Sequence, residues 1–244
     1  MNDRGVSDIV GYVLIFSLII ATVGVVTTVG FSTLEDRQSA ERINNVERAF
    51  DVFAANVEDV YREGAPSRAT ELRLSGGTLR HGDVVRITVA DADDPSRNVT
   101  AFARPLVYAE GDTEIVYAAG AVFRSGPDSS VMIRDPPFSS GGQTATLPLV
   151  ETFRTTGPRT VSTDGTVRVT STARAINTTT SPSFDGADSY TVTVESPRAG
   201  AWARYFDSRA WVDDVDETDG AVEATLASDR VTVPRFLIRL RLSG

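Results

Sequence analysis

The pattern of hydrophobic and polar positions changes its period twice along the chain, and each period predicts a different kind of element. The segment from Ile9 to Leu34, 26 positions long, contains no charged residue. As a helix it would extend about 39 Å at ~1.5 Å per residue, which exceeds the ~30 Å hydrocarbon core of a bilayer. The segment therefore predicts a membrane-spanning helix.

A second helical period follows a polar stretch from Glu35 to Asn45. Hydrophobic residues recur at alternating spacings of three and four, and form a seam that consists of Ile43, Val46, Phe50, Phe53, Val57 and Val60. Gly64 and Pro66 predict the end of this helix, because glycine commonly closes a helix and proline cannot continue one. We expect one nearly continuous helix over residues 7–63. The seam packs either on the β-rich part of the same chain or, as the alternative, in a coiled coil with another chain.

From Thr70 onward the period is two, which is typical of strands with one buried face. The clearest case is the run from Arg235 to Leu242, in which apolar and polar residues alternate. Turn signals such as Gly76-Gly77 and Asp164-Gly165 separate the runs. The pattern predicts a mainly antiparallel sandwich or curled sheet of about ten strands, interrupted by one helix over Pro197–Asp207.

Three fates are open for the apolar segment. A secretory signal peptide has an apolar stretch of only about 7–15 residues, followed by a small-residue cleavage site. This segment is longer, and no such site closes it. We therefore expect it to be retained, either as a plain anchor or after removal of only the polar leader Met1–Gly5.

The sequence RGVSDIVGYVLIFSLII, which begins at Arg4, resembles the class III signal peptide of archaeal type IV pilins and pilin-like proteins. In that family a prepilin peptidase cuts after a basic residue followed by Gly or Ala, and the apolar helix stays attached. By this resemblance Arg4 and Gly5 end the leader, and Val6 becomes the new N-terminus. Asp8 stands where such pilins often carry proline, which favours a divergent haloarchaeal branch over the major adhesive pilins.

Two features of the apolar helix bear on contacts between helices. Asp8 lies one residue after Ser7, a good N-cap, and beside the positive end of the helix dipole. In a filament Asp8 would contact the ammonium group of a neighbouring subunit, whereas in the alternative it is a solvated residue at the membrane face. Small residues that recur on one face predict a subunit or helix packing surface: Ser17, Ala21, Gly24 and Thr28.

The pattern and the resemblance together predict an α+β fold, in which a long N-terminal transmembrane and amphipathic α-helix precedes a mainly antiparallel, β-sandwich-like extracellular domain. We expect four segments: a leader peptide (1–5), a transmembrane or filament-core helix (6–34), an amphipathic helical stalk (35–63) and an extracellular β-rich domain (64–244).

The resemblance implies a pilin-like cell-surface structural protein that is processed after Gly5 and assembles into type IV pilus-like filaments for adhesion. Its partners would be membrane lipid, a prepilin peptidase and like pilin subunits. It would lie in the plasma membrane as a single-pass protein with its C-terminal domain outside. The alternative is a membrane-anchored ectodomain that does not polymerise and binds a surface ligand.

Composition narrows the chemistry further. Acidic residues outnumber basic ones by 33 to 24, every basic residue except His81 is arginine, and the net charge is −9. This charge argues against nucleic acid as a partner. The lack of cysteine excludes disulfides, thiol catalysis and zinc–thiolate sites. An acidic, lysine-free chain is typical of salt-loving organisms, although GC-rich codon usage produces the same bias.

Few residues suggest catalysis or ligand binding. His81 falls in a predicted hairpin turn, and no G-x-S-x-G motif accompanies it. The acidic run Asp213–Asp219 lacks the glycine and the distal glutamate of a helix–loop–helix calcium site, and we interpret it as a solvated loop. We expect no enzymatic activity, no cofactor and no metal. Two N-x-T sequons, at Asn98 and Asn177, are candidate glycan acceptors on an extracellular domain.

Overall fold

One long helix, α1 (Asp3–Arg62), contains both the apolar segment and the seam. The computed structural model of the protein describes residues 3–174 and 182–244, with side chains described except in residues 3–9 and 28–36. The helix closes as the sequence predicts: Gly64 adopts a left-handed φ of +73°, and the Ala65 N–H donates to the Asp59 carbonyl at 3.2 Å. The chain divides into two units, residues 1–44 and residues 45–244.

The second unit contains a short helix and many short strands. Helix α2 (Ala199–Asp207) lies between the fifteenth and sixteenth strands and begins two residues later than predicted. The described strands are β1 (Ser67–Arg73), β2 (Thr78–His81), β3 (Val85–Asp91), β4 (Asn98–Ala103), β5 (Leu106–Glu110), β6 (Thr113–Ala118), β7 (Ala121–Ser125), β8 (Ser130–Arg134), β9 (Ser139–Gly141), β10 (Thr144–Thr146), β11 (Leu149–Arg154), β12 (Thr160–Ser162), β13 (Thr166–Ala173), β14 (Ser183–Asp185), β15 (Tyr190–Glu195), β16 (Val212–Thr218), β17 (Ala221–Leu226), β18 (Arg230–Thr232) and β19 (Arg235–Ser243).

In the described part of the chain these strands form four small sheets. Sheet A has the strand order β1-β13-β19-β11, sheet B has β12-β2-β5-β6-β7-β8, sheet C has β16-β17-β15-β3-β4, and sheet D has β14-β18-β10-β9. The described pairs are antiparallel except β10 with β18 and β11 with β19. An N-terminal apolar helix followed by a mostly antiparallel β-domain is therefore confirmed.

The predicted sandwich of about ten strands is wrong. The β-domain is built from four small sheets in a propeller-like ring, and its described strands number nineteen. A period of two shows that a strand has one buried face, but it does not show which strands pair. Sheet A illustrates this limit, because it joins the first strand after α1 to strands from the middle and the far end of the sequence.

A large part of the hydrophobic core surrounds α2. Trp202, Tyr205 and Phe206 are buried on one face of this helix, and Trp202 packs against Phe123 of β7 with ring centroids 5.6 Å apart. Phe138 lies next to all three α2 rings. The aromatic residues of α2 therefore fill the core.

The seam of α1 is buried where it enters the second unit. Val46, Phe50, Phe53, Val57 and Val60 are all buried, and so is Ile43 in the first unit. Removing apolar surface from water contributes about 25 cal/mol of stabilisation per Å². The buried seam is therefore the main contribution to the attachment of α1 to the β-domain.

Two sheets contact the later turns of α1 through specific pairs. Toward sheet B, the rings of Phe53 and Tyr117 meet edge to face with centroids 5.1 Å apart. Toward sheet A, Tyr61 packs on Phe236 of β19 at 4.8 Å. The Asn56 amide also donates to the Thr70 hydroxyl of β1 at 2.8 Å. The helix is therefore fixed by side chains of both sheets.

Ion pairs from sheet B fix the rotation of this helix. Arg124 of β7 pairs with Glu47 at 3.0 Å. Arg134 of β8 bridges Asp51 at 2.6 Å and Glu58 at 2.9 Å, and so spans two turns of the helix. Partly exposed pairs contribute only about 0–1 kcal/mol each. We infer that they select the orientation of the helix, whereas the buried seam supplies most of the attachment energy.

We expect Phe53→Ala to destabilise the β-domain by about 3–5 kcal/mol, because it removes a fully buried ring and leaves a cavity. Val52→Ala is the matched control, since Val52 precedes Phe53 on the same helix but is 54 % exposed. Its effect should stay within about 0.5 kcal/mol. Urea unfolding of the full chain in detergent micelles measures both. Equal destabilisation by the two variants would contradict the proposed role of the seam.

Candidate functional site

The apolar segment Val10–Thr27 is the most distinctive functional feature of the described chain. It is long and apolar enough to cross a membrane, and none of it is buried within the protein. Twelve large apolar side chains between Val10 and Val26 are 51–71 % exposed. They lie all round the helix rather than on one stripe, and a helix that is hydrophobic all round requires a hydrophobic environment.

The polar groups of this segment are compatible with such an environment. Bilayer hydrocarbon offers no hydrogen bonds, so a spanning segment must satisfy its polar groups internally. The Thr22 hydroxyl donates to the Leu18 carbonyl at 2.8 Å, one turn earlier on the same helix. Tyr12 and Phe16 stack along the helix with centroids 6.3 Å apart. A segment with these properties suits a single membrane anchor or a signal sequence.

The predicted processing and packing residues lie on this helix. Arg4, Gly5, Val6 and Asp8 fall within α1, but their side chains lie outside the described set. Ser17, Ala21 and Gly24 are exposed, whereas the side chain of Thr28 lies outside the described set. The three described positions therefore place small, exposed residues along one face of the helix.

His81 is the last residue of β2, and its side chain is buried. Neither ring nitrogen has a hydrogen-bond partner in the described chain. Burial, followed by the positive charges of Arg154, Arg104 and Arg159, lowers the pKa of His81 to about 4. The imidazole is therefore neutral at pH 7 and shielded from solvent, which suits a packing role.

The acidic run Asp213–Asp219 was predicted to be a solvated loop, and this prediction is wrong. Most of the run belongs to strand β16 at the edge of sheet C. Negative charge on an edge strand discourages pairing with other chains. Glu217 also faces the start of α2, where its Oε1 lies 3.0 Å from the position that a Cβ on Gly200 would occupy. No group of three or more potential metal ligands occurs among the described residues.

A polar cavity of about 520 Å³ lies beside the start of α2. Arg198 enters it and pairs with Glu114 at 2.7 Å, while its Nε donates to the Ser125 hydroxyl at 2.9 Å. Burial lowers the pKa of the Arg198 guanidinium, and the charge of Glu114 opposes that effect. Since Arg198 is already neutralised by the chain itself, the cavity gives no specific indication of a charged ligand.

The structure describes the asparagine of only one of the two predicted sequons. Asn98 is the first residue of β4 and is exposed on sheet C. Asn177 lies outside the described residues. Arg124 and Arg134 were not predicted as partners of α1, because regular alternation along β7 and β8 does not reveal which distant carboxylates a strand faces.

Comparison with known proteins identifies the family but not an activity. The sequence model of a family of unknown function, DUF7289, matches residues 4–241, and the chain belongs to that family. No curated protein and no solved structure matches the chain.

The burial of His81 predicts a pH-dependent contribution to stability. Between pH 6.5 and about 4 the unfolded chain binds a proton at this residue and the folded chain does not. The contribution is therefore present above pH 6.5 and is lost as the pH falls toward 4, with a total on the order of 3 kcal/mol. Urea unfolding of the full chain and of His81→Leu at pH 4–7.5 isolates it. The stability of the wild type relative to the variant should rise with pH in this window; a difference independent of pH would contradict the prediction.

Proposed function

We propose that this protein is a pilin-like, membrane-anchored structural protein of the cell surface. Its first helix enters the membrane and stays attached to the β-domain after a prepilin peptidase removes Met1–Gly5. The β-domain then lies outside the plasma membrane. Assembly with like subunits through the apolar helices forms a pilus-like filament that serves adhesion. The function is non-enzymatic.

The observation that carries this proposal is the exposed apolar segment of α1. Burying a large apolar side chain contributes about 1.5–3 kcal/mol, and twelve such side chains between Val10 and Val26 are exposed in the isolated chain. The same surface can be buried in lipid or against the helices of other subunits. Both environments are stages of the proposed life cycle.

The continuity of α1 supports retention of the segment. The apolar segment and the seam belong to one uninterrupted helix, Asp3–Arg62. Cleavage after the apolar run, near Phe31, would separate the apolar segment from the seam. Cleavage after Gly5 would leave the apolar segment and the seam covalently joined. The proposed processing site therefore conserves the feature that gives the helix its function.

Processing is tested at the N-terminus. We expect the mature protein from membrane or sheared-filament fractions to begin at Val6, and Gly5→Glu to block cleavage without preventing membrane insertion. Asp3→Asn is the matched control, since it changes the leader but keeps Arg4 and Gly5, and it should be processed normally. Mass spectrometry of the N-terminal peptide measures all three. A mature chain that retains residues 1–5, or one that begins past Phe31, would contradict the proposal.

Assembly is tested with single cysteines, because the natural chain contains none. Ala21→Cys lies on the small-residue face of the helix, and Ile19→Cys lies about 160° away at 100° per residue. If the helices pack through the small-residue face, oxidation in membranes or filaments should cross-link Ala21→Cys much faster than Ile19→Cys. Equal, slow cross-linking would instead favour an anchored ectodomain that does not polymerise.

A further inference from the structure

The outer face of sheet C carries several threonine residues on neighbouring strands. On this face Thr193 of β15 lies opposite Thr88 of β3, and Thr88 lies opposite Thr100 of β4. The Thr88 and Thr100 hydroxyls are 3.0 Å apart, and the Thr193 hydroxyl donates to Glu223 of β17 at 2.9 Å. A row of hydroxyl groups therefore crosses the middle of the sheet.

A groove of about 470 Å³ runs along this face. Thr88, Ala90, Thr191 and Thr193 line it from strands β3 and β15. The turn between β3 and β4, which contains Pro95, provides further lining. Small side chains thus create a depression that combines hydroxyl groups with short apolar surfaces.

The turn beside the groove is held by a buried carboxylate. Asp91 is only 2 % exposed, and its Oδ1 accepts the N–H groups of Asp93 and Asp94 at 2.9 and 3.1 Å. Its Oδ2 pairs with Arg97 at 2.6 Å. Hydrogen bonds of this kind fix an Asx-type turn. The groove is therefore shaped before any ligand arrives.

Asn98 and Thr100 of the sequon both belong to this face. The intervening Val99 is buried on the opposite side of β4, as the period of two requires. Asn98 is exposed and lines the groove, and its Nδ2 donates to the Pro95 carbonyl at 3.0 Å. An attachment atom for carbohydrate therefore lies at a groove whose hydroxyl groups can donate to and accept from a sugar.

We propose that Asn98 carries an N-linked glycan and that the first sugars of this glycan lie in the threonine-lined groove of sheet C. Attachment at Asn98 makes docking intramolecular, so the local sugar concentration reaches the order of mM without high intrinsic affinity. The threonine hydroxyls and Glu223 supply hydrogen-bond partners, while Ala90 and Pro95 contact the apolar faces of the rings.

The modification requires a sugar donor linked to a lipid phosphate and a transferase that acts on it. The Asn98 amide nitrogen bonds to the anomeric carbon of the sugar, and the bond from that carbon to the phosphate oxygen breaks. The phosphate leaves with the electron pair, and one amide proton passes to a base of the transferase. One N–H remains on Nδ2. The site rests on the proposed placement of the β-domain outside the membrane.

Site occupancy is tested on the full chain isolated from its native membrane. Glycopeptide mass spectrometry should find a glycan on Asn98 in the wild type and in Thr100→Ser, which keeps the sequon, and none in Asn98→Gln or Thr100→Ala. External protease is applied to intact cells in parallel. An unmodified Asn98 in a protease-accessible domain would overturn this inference alone, whereas a protected domain would also overturn the proposed function.

Docking is tested by filling the groove. In native protein, enzymatic release of the glycan from Asn98 should be several-fold faster in Ala90→Trp than in the wild type, because the indole occupies the space of the first sugars. Thr166→Trp is the control, since Thr166 is an exposed strand residue of sheet A. Occupancy of Asn98 should be equal in all three proteins. Equal release rates would overturn docking, even with Asn98 glycosylated.

Discussion

The burial of the α1 seam against sheets A and B is the interaction on which the structure depends. Phe50, Phe53 and Val57 are fully removed from solvent. Phe53 packs on Tyr117 of sheet B, and Tyr61 of the same helix packs on Phe236 of sheet A. Without this packing, residues 45–62 would form a solvated amphipathic helix with little reason to remain attached to the β-domain. Apolar burial attaches the helix, and the ion pairs from Arg124 and Arg134 select its orientation.

The N-terminal and C-terminal turns of α1 differ in the surroundings that their side chains suit. The turns around Val10–Thr27 expose apolar side chains in every direction, whereas the turns around Phe50 and Phe53 bury their apolar seam on one face and leave Val52 exposed. A helix that is apolar all round suits hydrophobic surroundings on every side, such as lipid. A helix with a single apolar face suits packing against one side of a folded domain. The change from one pattern to the other supports an anchor that continues into a domain-bearing segment.

The helix was largely predictable from the sequence and the sheet layout was not. Regular spacing from Ile43 to Val60, together with Gly64, encodes a helix and its end locally. Pairing is encoded in contacts between distant residues, such as Phe236 with Tyr61, which periodicity does not reveal. For the same reason, Asn98 was recognised from its local sequon. The groove beside it could be recognised only from the register in which β3, β4 and β15 pair.

The strand order of sheet A also limits when this sheet can be completed during folding. Strand β19 inserts between β13 and β11, and it carries Phe236, the ring that meets Tyr61 of α1. Sheet A therefore remains incomplete until residues 235–243 have been synthesised. Contacts of such long sequence separation form slowly. In the proposed membrane-anchored protein, the nascent chain would complete this sheet while tethered by its first helix, and its unpaired strands would be kept apart from those of other chains.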